Sequence, residues 1–282
     1  VWNSSGVYRR APGYGNTAFE EITAGGFSIE GVQGIVYHPL GTEALIWTSE
    51  NLFQVAGDSI NAEEVFHGGY PVSNTRGVVY NPLGVVAWIW TSENVYTRGS
   101  FNTEVHLRTF FNNPIANVHG IAFNPLGTSA LMWTGEEMFK ITNLAVPGTV
   151  GPLTGFQGSI LIHELTSGGN SIAQVQGVVH HPLGVDAFFW TPEKVFRQET
   201  VFSIGSPSGF WDVIPVSMEV TVAGSSIQQV QGMAYHPQGA EAMLWTQQYL
   251  YFKTTGTDSV TEIKIEDDAP LVEDLSIESI RG

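Results

Sequence analysis

The segment Val32–Phe53, VQGIVYHPLGTEALIWTSENLF, returns four more times along the chain, at Thr75–Tyr96, Val118–Phe139, Val175–Phe196 and Val230–Tyr251. A unit this short cannot bury an apolar face alone, so a repeat at this period restricts the chain to solenoids, propellers or arrays. The glycines Gly34, Gly77, Gly120, Gly177 and Gly232 mark the copies, with spacings of 43, 43, 57 and 55 residues. The last two spacings therefore carry insertions.

Each copy reads as four strands. Strand A follows the glycine (Ile35-Val36-Tyr37, Val78-Val79-Tyr80) and strand B ends in tryptophan (Ala44-Leu45-Ile46-Trp47, Ala187-Phe188-Phe189-Trp190). Both are apolar on consecutive residues, the pattern of strands covered on two faces. Between them His-Pro-Leu-Gly or Asn-Pro-Leu-Gly makes a tight reversal, Pro fixing one dihedral and Gly taking a positive one. Strand C follows a polar triplet, as in Leu52-Phe53 and Val95-Tyr96. Strand D alternates (Val216, Met218, Val220 and Val222 against Ser217, Glu219 and Thr221), as an outer strand with one wet face should. Gly25-Gly26, Gly68-Gly69, Gly168-Gly169 and Gly224 read as crossovers that return the chain to the centre. The expectation is an all-β fold, a β-propeller of four-stranded antiparallel blades. A β-solenoid needs shorter coils and no amphipathic edge strand.

The ends of the sequence belong to the same repeat. Trp2 to Tyr8 lines up with Trp47 to Phe53, which puts a strand C at Val7–Arg10 and a strand D at Phe19–Thr23. Ser276 to Gly282 lines up with Ser28 to Gly34. Joining the ends leaves out the equivalent of Ile35 to Leu45, a span of 11 residues. The reading is five full repeats and an incomplete sixth: 1–265 a propeller incomplete at its N-terminus, 266–282 an acidic connector. Six blades are favoured, five with overlapping ends being the alternative. The missing strands come from a longer polypeptide or a neighbouring chain.

Charge narrows the partners. Eleven Lys and Arg face 27 Asp and Glu, a net charge of −16. Nucleic-acid binding needs cations to displace counterions, so it is excluded, and anionic membrane surfaces are disfavoured on the same ground. No apolar run approaches the roughly 20 residues that span a bilayer, which excludes membrane insertion. The chain has no cysteine, hence no disulfide, thiolate site or Cys nucleophile. No cofactor or metal is implied.

The recurring side chains divide between architecture and binding. Trp47, Trp90, Trp133, Trp190 and Trp245 end buried strands and read as wedge fillers between blades. His38, Asn81, Asn124, His181 and His236 precede the turn proline and read as side chains bonded to the turn backbone, not as metal ligands. Gln33, Arg76, His119, Gln176, Gln231 and Arg281 precede the strand A glycine, the place of a channel-mouth ring; they either hold a small polar ligand or tie crossovers to neighbours. One Glu per blade in the B–C turns (Glu50, Glu93, Glu136, Glu193) does not make the close carboxylate pair of a glycosidase. The insertions, 143–159 with Phe156 and 198–215 with Phe210, Trp211 and Asp212, read as adjacent loops on one face. An aromatic ring beside a carboxylate can hold a sugar. Otherwise these rings anchor their loops. Asn3-Ser4-Ser5 is a glycosylation sequon. Glu266-Asp267-Asp268 reads as part of the solvated connector, with calcium binding the alternative.

The turn phrase Tyr-His-Pro-x-Gly (Tyr37–Gly41, Tyr235–Gly239) resembles the repeats of tachylectin-type propeller lectins over about ten residues per blade. The likeness implies a propeller without catalysis, and sugar as ligand. The constant Trp-Thr and the polar B–C triplets depart from it, and no sugar-binding residue maps across. The resulting expectation is a non-enzymatic extracellular or surface-associated module. It acts in structure or protein–protein interaction, including self-assembly into filaments. The alternatives are a glycan-binding lectin using the inserted loops and, further off, a glycoside hydrolase.

Overall fold

The computed structural model describes residues 1–10, 18–99, 106–110, 113–142, 161–184, 186–203, 212–254 and 260–264. Among them every regular element is a strand. Five units each contain strands A, B, C and D in antiparallel succession. In the first unit these are Gly34–Tyr37, Glu43–Trp47, Leu52–Ala56 and Asn61–Glu64. In the fourth they are Gly177–His180, Asp186–Trp190, Val195–Ser203 and Asp212–Val222. Each strand A lies beside the strand A of the next unit, from the first to the fifth. The arrangement is propeller-like. Ahead of the first unit stand three strands of a partial one, Trp2–Asn3, Gly6–Arg10 and Phe19–Ala24, placed where the alignment put them. The last runs parallel to strand D of the first unit, pairing Thr23 with Asn61 and Ala24 with Ala62.

The core lies in wedges between units. Leu45 and Leu52 of the first unit meet Val72, Val78, Ala87 and Ile89 of the second. Trp88, Trp90 and Val95 meet Ile115, Val118, Ile121 and Met132 of the third. The third and fourth units join through Leu131, Met138, Ile172 and Phe189, the fourth and fifth through Phe188, Val195, Val230 and Leu244. Apolar burial on both faces of strand B is what allows it to serve two wedges at once. Strand B is buried as expected, but strand A only in part: Val78, Tyr80, Ile121 and Met233 are buried, whereas Ile35, Val36 and the four residues of Gly177–His180 are half-buried. Strand A is hydrogen-bonded on one side only and borders the centre.

Glycine and tryptophan are coupled in every unit. Gly34 pairs across the ladder with Trp47, and a Cβ at Gly34 would lie 2.1 Å from the indole. The same holds at Gly77, Gly120, Gly177 and Gly232 against Trp90, Trp133, Trp190 and Trp245. The indole lies on the glycine, and Trp47, Trp133 and Trp190 also pack against the wedge shared with the next unit. The threonine after each Trp caps the B–C turn. The Oγ1 of Thr48 accepts the Glu50 N–H at 3.2 Å and the Asn51 N–H at 3.0 Å, and Thr91, Thr134, Thr191 and Thr246 do the same in their units. In the partial unit Asn3 takes this place, its Oδ1 accepting the Ser5 and Gly6 N–H groups.

Three expectations need correction. The Gly-Gly pairs are hairpin turns: Phe66–His67 pairs with Tyr70–Pro71 around Gly68 and Gly69, whose φ values are 57° and 81°. Two consecutive positive φ angles make the tight reversal that fits strand twist. The insertion at 198–215 is largely ladder, not loop, since strands C and D of the fourth unit stay paired out to Ser203 and Asp212. In that strand D the alternation fails. Met218 is 44% exposed while Ser217 is buried, because Met218 lines a surface cleft with Arg197, Glu219 and Lys253.

Candidate functional site

The junctions between units are where the polar side chains of the repeat gather. One tie is made by the crossover. Asn74, Asn117, Gln174 and Gln229 take left-handed φ values of 54°, 53°, 58° and 54°. Their N–H groups then reach the B–C turn of the preceding unit, at the carbonyls of Ser49, Ser92, Gly135 and Pro192, over 2.8–3.0 Å. Asn takes this region more readily than other non-glycine residues, whereas Gln does not, so at Gln174 and Gln229 the bond to the neighbour helps to hold it.

A second tie leaves the A–B turn. His38 Nδ1 accepts the Leu40 N–H, and its Nε2 donates to the carbonyl of Gly84 in the next unit at 2.6 Å. Asn81 Nδ2 donates to Gly127 at 2.6 Å, and His181 Nε2 to Gly239 at 3.0 Å. Asn124 is buried against the turn at Gly184, its amide bonded within its own turn to Thr128. The sequence reading gave these side chains to their own turns; they also reach across to the next unit. The receiving glycines have positive φ, and a Cβ would come within 2.4 Å of His38 at Gly84 and 2.3 Å of His181 at Gly239.

A third tie pairs the first residue of strand B with a tyrosine ending the next strand A. Tyr80 Oη donates to Glu43 Oε1 at 2.8 Å, and Tyr235 Oη to Asp186 Oδ1 at 2.8 Å. Each carboxylate also carries an arginine. Arg98 grips both Glu43 oxygens at 3.0 Å with both side chains at 0% exposure, and Arg197 reaches Asp186 at 2.8 Å. Burial, with the carboxylate second, pushes both tyrosines well above the usual phenol range. Burial alone pushes the Lys140 ammonium down to about 8.

The groups of the second and third ties recur on the outer faces of the two end units, and there they are open. His236 keeps the turn bond, its Nδ1 accepting the Gln238 N–H at 3.3 Å, but its Nε2 has no partner among the described residues. Glu241, equivalent to Glu43, and Met243, equivalent to the buried Leu45, are exposed and half-buried. On the first unit Tyr37, equivalent to Tyr80, is 67% exposed, and Gly41 has nothing within 4 Å of where a Cβ would be.

A second feature repeats on the B–C face. A cleft of about 530 Å³ is lined by Phe27, Ser28, Ile29, Glu30, Glu50 and Asn51. A cleft of about 230 Å³ stands 43 residues on, with Tyr70, Pro71, Val72, Ser73, Glu93 and Asn94 in the same places. The aromatic rims, Phe27 and Tyr70, are 79% and 78% exposed. The sequence reading missed these clefts; the recurrence of Glu-Asn after Trp-Thr-Ser was the available signal.

Phe156, Phe210 and Trp211 lie outside the described residues, as do Arg281 and the 266–282 connector; of Asp212 only the backbone register with Ser203 is fixed. Gln33, Arg76, His119, Gln176 and Gln231 occupy one equivalent position with exposed side chains. The backbone N–H groups of Gln33, Gln176 and Gln231 donate to the strand B tryptophan carbonyl at 2.8 Å, and Arg76 and His119 sit at a bulge opposite Trp90 and Trp133. None of the five side chains hydrogen-bonds another. Among the described residues no three His, Asp or Glu side chains are grouped to hold a metal ion.

No protein-family model and no curated protein sequence matches the chain. Among solved structures it is similar to a functionally unknown protein from Desulfotomaculum acetoxidans, at TM-score 0.50 and 12% identity, over 83% of this chain and 69% of that one. It is similar also to the extracellular domain of a hybrid two-component system from Bacteroides thetaiotaomicron, at TM-score 0.51 and 10% identity, over 84% of this chain but 28% of that one. The β-propeller domain of Myceliophteria thermophila Swd1 aligns at TM-score 0.47 and 10% identity, over 84% and 71% of the two chains. At these identities the likeness carries the fold alone.

Proposed function

We propose that the chain is a non-enzymatic structural and interaction module of six blades, acting outside the cell or at its surface, whose incomplete blade is filled by strands from outside the described residues. One observation carries this reading. The packing face that every inner unit buries against its neighbour recurs, unsatisfied, on the fifth unit (His236, Glu241, Met243) and on the first (Tyr37, Gly41). Faces built to be covered, and left open at both ends of a series, suit assembly better than catalysis. The surface setting belongs to the same proposal; one similar fold, known from two structures, is described as an extracellular domain. Sedimentation velocity from dilute to concentrated solution tests it. Species heavier than the 30.7 kDa chain are expected to grow with concentration. A strict monomer throughout counts against assembly.

A second reading is a glycan-binding lectin, supported by the repeated cleft and in line with the tachylectin-like turns. An aromatic rim, a carboxylate and a carboxamide per unit are the groups that stack on a sugar ring and bond its hydroxyls. A glycan array with the chain and its Glu50→Ala, Glu93→Ala double variant decides it; a blank array removes the lectin reading.

A further inference from the structure

The open faces specify what covers them. We infer that they receive a β-hairpin of the A–B type found in this chain's own repeat, inserted between the fifth unit and the first; this rests on the interaction-module reading above. Four groups define the occupant. Opposite His236 Nε2 there must be a turn carbonyl, because His38 and His181 donate to Gly84 and Gly239. Opposite Glu241 there must be a tyrosine hydroxyl, as Tyr80 stands to Glu43 and Tyr235 to Asp186. Opposite Gly41 there must be an imidazole or carboxamide. Gly84, Gly127, Gly184 and Gly239 all hold such a ring or amide within 3.1 Å of a Cβ position, whereas at Gly41 that socket is empty. Opposite Tyr37 there must be a carboxylate. Read along one strand-turn-strand segment, these requirements spell Tyr, His or Asn, Pro, any residue, Gly, any residue, then Asp or Glu. Tyr37 to Glu43 and Tyr235 to Glu241 both meet that pattern.

The apolar part of the fit agrees. Leu45, Trp88, Leu131 and Phe188 face the following unit at no more than 3% exposure, while Met243 at the same place is half-buried. Among the described residues, strand A of the fifth unit pairs with its own strand B alone, and the stub Val1–Asn3 fills the edge of the partial unit only from Gly6 to Tyr8. The occupant adds side chains to both faces, and its strands extend the sheet in the usual mode of strand addition.

The probe is a synthetic peptide of the sequence Ile35–Leu45, the span that the two ends leave out, capped at both ends and titrated calorimetrically into the chain. One peptide per chain is expected to bind, with a rise in the melting temperature. Glu241→Ala or His236→Ala each removes one exposed partner and is expected to weaken binding about three- to tenfold, as loss of one hydrogen bond does. Neither should change the melting temperature of the free chain. A peptide with Phe in place of its Tyr is expected to lose a similar factor. No binding, or binding indifferent to these changes, overturns the hairpin. If the chain self-associates on dilution analysis yet the peptide neither binds nor competes, the hairpin falls and the interaction module stands. If neither occurs, both fall.

Discussion

The Arg98–Glu43 pair offers the sharpest measurement of how the units are held together. Arg98 lies on strand C of the second unit, Val95–Gly99, and Glu43 opens strand B of the first, so the pair spans a wedge. Both side chains are fully buried, two guanidinium N–H groups reach the two carboxylate oxygens at 3.0 Å, and Arg98 also donates to Gln54. Arg98→Met keeps much of the volume and removes the charge. Glu43 is then left ionised in an apolar wedge, an arrangement that costs about 3–5 kcal/mol. Against a total stability of about 5–15 kcal/mol the loss is large, and at about 2–3 °C per kcal/mol it lowers Tm by about 6–15 °C. Adding Glu43→Gln removes the stranded charge while its carboxamide oxygen still accepts from Tyr80. The double variant is expected to recover about 2–3 kcal/mol of the loss.

Urea melts of the parent, the single and the double variant at neutral pH give these differences directly. The single variant also carries a pH signature. Its buried carboxyl binds a proton more readily folded than unfolded, so folded chains hold more protons and stability falls as pH rises. Arg98→Met alone should therefore regain stability as pH is lowered from neutral, and the double variant should not. A single variant within 1 kcal/mol of the parent by the same assay, about the scatter of a surface change, would refute the argument. So would a double variant no more stable than the single.

Further outcomes follow from the same geometry. Gly84→Ala and Gly41→Ala both place a side chain at positive φ, costing about 1 kcal/mol. Only Gly84→Ala also drives a Cβ into His38, so it should melt lower; equal melting temperatures would mean that the Gly41 socket is filled in solution. Lys140, with its ammonium pushed down to about 8 by burial, binds fewer protons folded than unfolded above that pH, so its contribution improves as pH rises from about 8 toward 10.5. Lys140→Met should accordingly lose that pH dependence, its stability relative to the parent falling over that window in chemical denaturation, and a difference that stayed constant from about pH 7 to 10 would refute the burial argument. Thr91→Ala removes the acceptor for the Glu93 and Asn94 N–H groups and should cost about 1 kcal/mol in the same melts. Trp90→Ala, emptying the wedge over Gly77, should cost about 3–5 kcal/mol, and a small loss would place the indole outside the core.

How much of this was legible in the sequence depends on whether a signal was local to one unit. Spacing alone gave the four strands, the A–B turns and the partial unit at Trp2–Ala24, because periodic burial and turn chemistry act within a few residues. The reason for the Gly34 and Trp47 pairing was not legible; it is a clash across a ladder, visible only when the register is known. The constant Trp-Thr, which looked like a departure from the lectin-type repeats, is a turn cap whose meaning lies in the hydrogen bonds of Thr48 Oγ1. The ties between units were invisible for a related reason. Glu43, Tyr80 and Arg98 are separated by up to 55 residues, and nothing in any one copy says that its carboxylate belongs to the tyrosine of the next.

That distinction between signals within a unit and signals between units also ranks the candidate sites. A residue that serves its own turn, as Thr48 does, is satisfied wherever the unit stands in the series. A residue that serves the next unit is satisfied only where a next unit exists. His236, Glu241, Tyr37 and Gly41 are therefore the positions at which an architectural residue becomes available for binding. The clefts at Phe27 and Tyr70 differ in kind: they are complete within the described residues and would bind a ligand whether or not the ring is filled. The two sites make opposite demands on assembly. Filling the open faces with the hairpin should leave ligand affinity at the clefts unchanged, because Glu50 and Glu93 lie in B–C turns while His236 and Gly41 lie in A–B turns at the other end of the same strands. A cleft affinity that moved with hairpin occupancy would mean that the wedges transmit strain from one face to the other.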